Sequence, residues 1–404
     1  MLPLIYCGAY LCYNAAKAQR KIDGSICMSY LKFGGALLVM LSALCGSCYY
    51  LARRLHACGQ YFFPRLRMIH AAGLLVFLTV MLFLSMARPW QGVGQRIVST
   101  VGAVWMGLFV YLLLYFLAAD LICLAVRFIP AAPPKLIISA RLAALVLAMT
   151  TVIWGYFHAH QIHTAEYDVQ LTEQHASRMR VVMLSDLHLG AVGSEARLEK
   201  VVDRINEQQP DLVCIAGDIF DNSYRSILNP DEVAEALGRI SAAYGVYACL
   251  GNHDSGSDFG RMEEFLERAG VRLLKDECAV IDERLILAGR LDPYPIGGHG
   301  GETRRPLAEV LSGAAPDLPV VVLDHNPANA AEYRGEADLI LSGHTHRGQI
   351  FPGSLVTGAM YAVDYGYGRT GDGAQIIVTS GAGTWGLPIR VGTDCEIVRI
   401  DLGL

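Results

Sequence analysis

The sequence predicts an N-terminal α-helical membrane bundle followed by an α/β domain, and three observations predict it. Of the 404 residues, 53% are hydrophobic and only 18% are charged, against about 25% in ordinary soluble domains. The charge is also divided: residues 1–160 carry 13 Lys and Arg but only two acids, Asp23 and Asp120, a net +11, whereas residues 161–404 are net −16. Finally, long charge-poor runs stop near residue 160, and short β-rich runs alternating with amphipathic helices begin near Arg178. Such a chain is not disordered, and its halves read as domains for two solvents.

The apolar half, residues 1–160, is read as a multi-pass membrane domain. Residues 34–52 and 69–87 contain no charge, 97–126 hold the single acid Asp120, and 136–157 hold only Arg141, near one end. Each run is long enough to cross a hydrocarbon core of about 30 Å as a helix. Residues 2–16 are apolar but short, and offer a fifth span or an interfacial anchor. No basic residue precedes them and no A-x-A site follows, which disfavours a signal peptide. Asp120 is expected near a helix end, reaching the headgroups. Loop charges do not settle orientation: Lys17, Arg20, Lys21, Lys32, Arg88 and Arg96 fall on one side, and Arg53, Arg54, Arg65, Arg67, Arg127, Lys135 and Arg141 on the other. Of eleven cysteines, seven lie in the apolar half. Cys214 and Cys249 sit in expected buried strands, and only Cys278 and Cys395 remain as a conceivable pair. The lack of a disulfide framework favours a reducing compartment, hence the cytoplasmic face of a cell membrane for the second half.

Residues 161–404 are expected to form the α/β domain. MRVVMLSDLHL reads as a strand running into a loop. EARLEKVVDRINEQQ places Leu198, Val201, Val202 and Ile205 on one helical face. DLVCIAGD is a buried strand, DEVAEALGRISAAY a helix, and GVYACLGNHD a further strand and loop. PVVVLDH, ADLILSGHTH, AQIIVTSG and CEIVRIDL read as strands, and the glycines of 297–301 as a flexible loop.

Polar residues collect where these strands end: Asp186 and His188, then Asp218 and Asp221, Asn252 to Asp254, Asp324 to Asn326, and His344 and His346. Ligands of α/β sheets bind at the carboxyl ends of strands. Five of the twelve histidines fall in these loops, with His299 a weaker sixth. Asp, Asn and His without thiolates suit borderline divalent ions such as Mn, Fe, Zn, Ni or Co rather than a structural zinc. A carboxylate between two such ions bridges them, and a pair about 3.5–4 Å apart activates water and neutralises phosphoryl charge. Each loop alone is more readily an ordinary turn; their number and order favour a site.

Taken in order, the runs D186-L-H188, G217-D-I-F-D221, G251-N-H-D254, H325 and G343-H-T-H346 resemble the motifs of the calcineurin-like metallophosphoesterases over about residues 178–404. The preceding apolar half, and the tail with its Leu-Pro-x-Arg run, resemble the subgroup of transmembrane proteins with a metallophosphoesterase domain. The resemblance implies a four-layer α/β/β/α sandwich and two divalent ions. Asp186, His188 and His346 are then expected on one ion, Asn252, His325 and His344 on the other, with Asp218 bridging. It assigns His253 to the phosphoryl oxygen or leaving group, with Asp254 orienting it. Asp221 is expected to cap its loop. Arg347 stands where the subgroup commonly has Gly, and Arg347 and Arg390 are candidates for binding substrate phosphate, each balanced by a solvent-facing or ion-paired role.

These features predict a hydrolase acting on a phosphoester at the membrane surface, with the lipid bilayer as its other partner. Net −16 argues against nucleic acid. Relatives in the superfamily cleave the pyrophosphate of UDP-2,3-diacylglucosamine in lipid A assembly, which makes a lipid-linked substrate the reading by resemblance. A phosphoprotein or small phosphomonoester phosphatase, and a metal-binding membrane sensor without activity, are the alternatives.

Overall fold

The computed structural model describes residues 34–404 apart from 89, 91, 127, 129–134, 173–176, 191, 193, 316, 334 and 372; the segment at 2–16 lies outside the described residues. Among the described residues four helices are long and apolar enough to cross a membrane: α1 (Gly34–Phe62), α2 (Met68–Ala87), α3 (Gly92–Val126) and α4 (Leu136–His158). They contain the expected runs. Large apolar side chains point outward along them, Leu38, Ile69 and Leu121 among them, as lipid-facing helices require. Helix α3 has 35 residues, about 52 Å at 1.5 Å per residue.

Two compact units form. One takes residues up to Phe77 with Leu112–Leu145; the other takes Leu78–Tyr111 with Val146–Leu404. The division runs through α2, α3 and α4 rather than falling at residue 160. In the first unit Asp120 does not reach outward as expected. It pairs with Arg54 at 2.6 Å and accepts from the Tyr50 hydroxyl at 2.7 Å. Arg141 lies 3.8 Å away, so the acid is neutralised by neighbouring helices.

The second unit holds two six-stranded sheets. In chain order the elements are β1 (Ile162–Gln170), β2 (Arg178–Leu184), α5 (Glu195–Glu207), β3 (Leu212–Ala216), α6 (Pro230–Leu237), β4 (Val246–Cys249), α7 (Phe259–Arg268), β5 (Val271–Leu273), β6 (Glu277–Ile281), β7 (Leu285–Gly289), the short α8 (Leu307–Val310), β8 (Val320–Leu323), β9 (Leu339–Ser342), α9 (Gly353–Met360), β10 (Gly366–Arg369), β11 (Gln375–Val378) and β12 (Cys395–Gly403). The first sheet runs β1-β12-β2-β3-β4-β5 and the second β10-β11-β9-β8-β7-β6. Strands β2, β3 and β4 are mutually parallel, as are β7, β8 and β9.

Alternation along the strands explains the layering. Val181, Met183, Leu212 and Cys214 of the first sheet meet Leu285, Leu287, Val321 and Leu339 of the second in one core. Their neighbours Val182, Val213 and Ile215 face α5, α6 and α7, which supply Leu198, Val201, Val233, Leu237 and Phe265. On the far side, Val322, Ile340 and Ile376 pack under α8 and Tyr333. The outer layer there is thin: α8 has four residues, and Tyr333 ends a 3-10 segment. The helix expected over 231–244 stops at Leu237, capped by Gly238. Cys278 and Cys395 are both free thiols, each turned to a backbone carbonyl, so the conceivable disulfide is not formed.

Candidate metal centre

The carboxyl ends of β2, β3 and β4 in one sheet and of β8 and β9 in the other carry the polar loops read from the sequence. Their side chains converge. His346 Nε2 lies 3.2 Å from Asp186 Oδ1 and 3.1 Å from His188 Nε2. His325 Nε2 lies 3.1 Å from Asp218 Oδ2, and His344 Nδ1 lies 3.2 Å from His325 Nε2 and 3.0 Å from Asn252 Oδ1. The two groups meet at Asp218, whose Oδ2 is also 3.8 Å from His188 Nε2. All seven side chains named for two ions are thus gathered in two adjoining triads around one carboxylate.

The backbone is bent to achieve this. Asp186, His188, Asp218, His344 and His346 all take φ between 47° and 71°, a left-handed conformation that costs an ordinary residue about 1–2 kcal/mol. Strain of this kind collects at functional sites and is held by its surroundings. Two glycines permit the approach: a Cβ on Gly251 would strike the Asp218 carboxylate, and one on Gly343 would strike Ser185 and Asp186. Hydrogen bonds lock the carboxylates. Asp218 Oδ1 accepts from the His253 amide at 2.9 Å; Asp186 accepts from the His344 amide at 3.1 Å and from the Ser185 hydroxyl.

Burial and charge prepare the donors. Burial pushes His188 and His344 down to about 4 and His346 well below its usual range, the last helped by the Arg390 cation. These imidazoles are therefore neutral, as metal ligands must be. Burial opposes a proton on His325, but Asp218 outweighs it and raises the imidazole. His325 Nδ1 is 2.8 Å from the Ala216 carbonyl, which makes Nδ1 the donor and turns Nε2 toward Asp218. Burial raises Asp186 to about 6, with Asp218 adding to it. Closely packed carboxylates and imidazoles, lacking thiolates, fit divalent cations of the borderline class.

Several expected roles are corrected. Asp254 does not orient His253. Its buried carboxylate accepts from the amides of Phe220 at 2.8 Å and Gly251 at 2.9 Å, tying two of the loops together. The carboxylate nearest His253 is Asp221, 3.8 Å from Nδ1, and it lies 3.9 Å from His188 Nδ1. Asp221 is therefore more than a loop cap. It is held in turn by Arg88 just beyond α2, whose guanidinium donates to its carbonyl at 2.7 Å and to its carboxylate. Arg390 is fully buried and donates to the carbonyls of His346 at 2.9 Å, Ser380 at 2.6 Å and Gly383 at 2.7 Å, so it braces the loops instead of meeting substrate. Arg347 lies over the Tyr365 ring, 4.2 Å from its centroid, at φ 48°; the conformation explains why glycine suits this position. His299 is buried against Phe259, not part of a freely exposed loop. Sequence reasoning missed Arg88, counted only as a loop charge, and Trp385, whose half-exposed ring lies 5.9 Å from that of His253.

Comparison with known proteins agrees with this geometry. A family model for calcineurin-like phosphoesterase matches residues 179–348. The chain is 30% identical over 278 residues to a Danio rerio transmembrane protein with metallophosphoesterase domain, covering 64% of this chain and 62% of that one. The Bos taurus protein of the same description is 30% identical over 288 residues, 66% and 63% of the two chains. These matches thus span somewhat under two thirds of those relatives. The uncharacterized metallophosphoesterase YkuE of Bacillus subtilis (strain 168) is 30% identical over 260 residues, 61% of this chain and 87% of that one.

Proposed function

The chain belongs to the calcineurin-like metallophosphoesterase family, and from that membership we propose that it is a membrane-anchored hydrolase of phosphoester or pyrophosphate bonds working with two divalent ions. The observation that carries the reading is the meeting of two ligand triads at Asp218. Asp186, His188 and His346 would hold one ion and Asn252, His325 and His344 the other. Bound ions of this kind supply an activated water and neutralise charge on the phosphoryl group.

The chain's own residues do the rest. Asp218 is fixed by the His253 amide, and that bond also places the His253 ring beside the ligands, 5.1 Å from His188. His253 Nδ1 has no hydrogen-bond partner among the described residues, and the ring serves as the group that steadies the phosphoryl oxygen and gives a proton to the leaving group. Trp385 borders it.

The apolar helices favour a substrate presented by a membrane, and a lipid-linked pyrophosphate such as UDP-2,3-diacylglucosamine is the specific candidate. Full-length protein reloaded with Mn should hydrolyse bis(p-nitrophenyl) phosphate and release UMP from UDP-2,3-diacylglucosamine. Failure on both across several divalent ions would remove the hydrolase reading. Activity on the first alone would remove the lipid nucleotide, and a preference for p-nitrophenyl phosphate would favour the phosphomonoesterase alternative.

A further inference from the structure

Helix α9, GSLVTGAM, carries no charge and buries none of its residues. Leu355 is 66% exposed, Val356 57%, Met360 69%, and Phe351 just before the helix 51%. Nine large apolar side chains are exposed in the described residues of 162–404, and four of them fall within 351–360. Helices α5 and α7, by contrast, bury their apolar faces completely. A patch of this kind marks a contact surface.

Its place identifies the contact. The segment leaves the metal centre at His346 and returns at Tyr361, whose ring is 6.2 Å from that of His344. Its entry is fastened to 389–391: the Phe351 amide donates to the Val391 carbonyl at 2.8 Å, and the Arg390 amide donates to the Gly155 carbonyl of α4 at 3.0 Å. The Tyr111 hydroxyl of α3 donates to the Phe351 carbonyl at 3.1 Å. The patch is therefore bonded directly to α3 and, through residues 389–391, to α4, both long and apolar enough to cross a membrane, and it lacks the cations that would make it a headgroup-binding surface.

We propose that Phe351 and α9 form a bilayer-contacting lip: Phe351, Leu355, Val356 and Met360 lie among acyl chains, and the lip passes the phosphoester of a membrane amphiphile to the metal centre. Contact with the bilayer stands on the helix alone; delivery of substrate rests on the hydrolase reading above.

The test uses the full chain in phosphatidylcholine vesicles doped with a phosphatidylcholine bearing a diazirine in its acyl chain. After photolysis and trypsin, lipid adducts are expected on peptide 348–369 as well as on the spanning helices. Adducts on the helices but none on 348–369 would overturn the lip, and a dimeric protein with that result would assign the patch to a second copy. In a second arm, L355Q/M360Q should leave hydrolysis of bis(p-nitrophenyl) phosphate within about twofold and slow a vesicle-embedded acyl p-nitrophenyl phosphodiester by about tenfold or more, since two apolar anchors are lost. Equal change on both substrates would overturn delivery. Wild-type protein inactive on both, yet labelled on 348–369, would defeat the hydrolase reading and leave the bilayer contact standing.

Discussion

His253 and Asp218 are joined by one hydrogen bond yet have separable tasks. On the proposed assignment His253 lies outside both ligand sets, so in His253→Ala metal content should stay at the wild-type level while turnover falls by about 10²–10⁴-fold; loss of metal in that variant would mean the ring is itself a ligand. Arg390 behaves differently. Its guanidinium satisfies buried carbonyls around His346 and Gly383, so Arg390→Ala should cost at least about 3 kcal/mol in denaturant unfolding. A stable but inactive variant would return Arg390 to the substrate. The grouping of the seven side chains named for two ions was legible because each follows its strand in a short motif. Arg390 was not, since a Leu-Pro-x-Arg run does not say whether the arginine faces the rim or the interior.

Elements carry the next level of organisation. Asp221 stands between Arg88 and the imidazoles of His188 and His253, so the segment after α2 is coupled to the site. Arg88→Ala should leave the protein folded and lower kcat several-fold. Asp221→Asn should do the same, and the double variant should be little worse than either single one, because both changes break one linkage. Additive losses would show that the pair is not a unit. No sequence pattern announces a contact between residues 133 positions apart. Strands were read where they are apolar, as in β2, β3, β8, β9, β11 and β12. Strand β1, HTAEYDVQ after its first Ile, alternates polar residues on an exposed face and pairs in parallel with β12 from the far end of the domain. Such a strand exists by partnership rather than by composition.

For the whole molecule, the second unit reaches into α2, α3 and α4. Arg96 pairs with Glu195, and Gly107 and Gly155 lie against Ile389 and Val391. A chain truncated to 161–404 loses these contacts and should melt several degrees below the full-length protein; equal melting would show the helices to be mere tethers. Metal loading should also depend on pH. Asp186 is raised to about 6, so protons compete with the cation below that value. Apparent affinity for Mn should fall as pH drops through about 6, with protons released on binding. An affinity flat down to pH 5 would mean that Asp186 is already ionised in the metal-free fold.

Elemental analysis of the purified, folded protein reaches the root of the account, because every catalytic statement depends on the meeting at Asp218. After saturation with Mn and removal of the excess, the wild type should retain about two ions per chain, and Asp218→Ala should retain fewer with hydrolysis abolished. A wild type that keeps no divalent ion, or an Asp218→Ala protein with full metal and full activity, would contradict it.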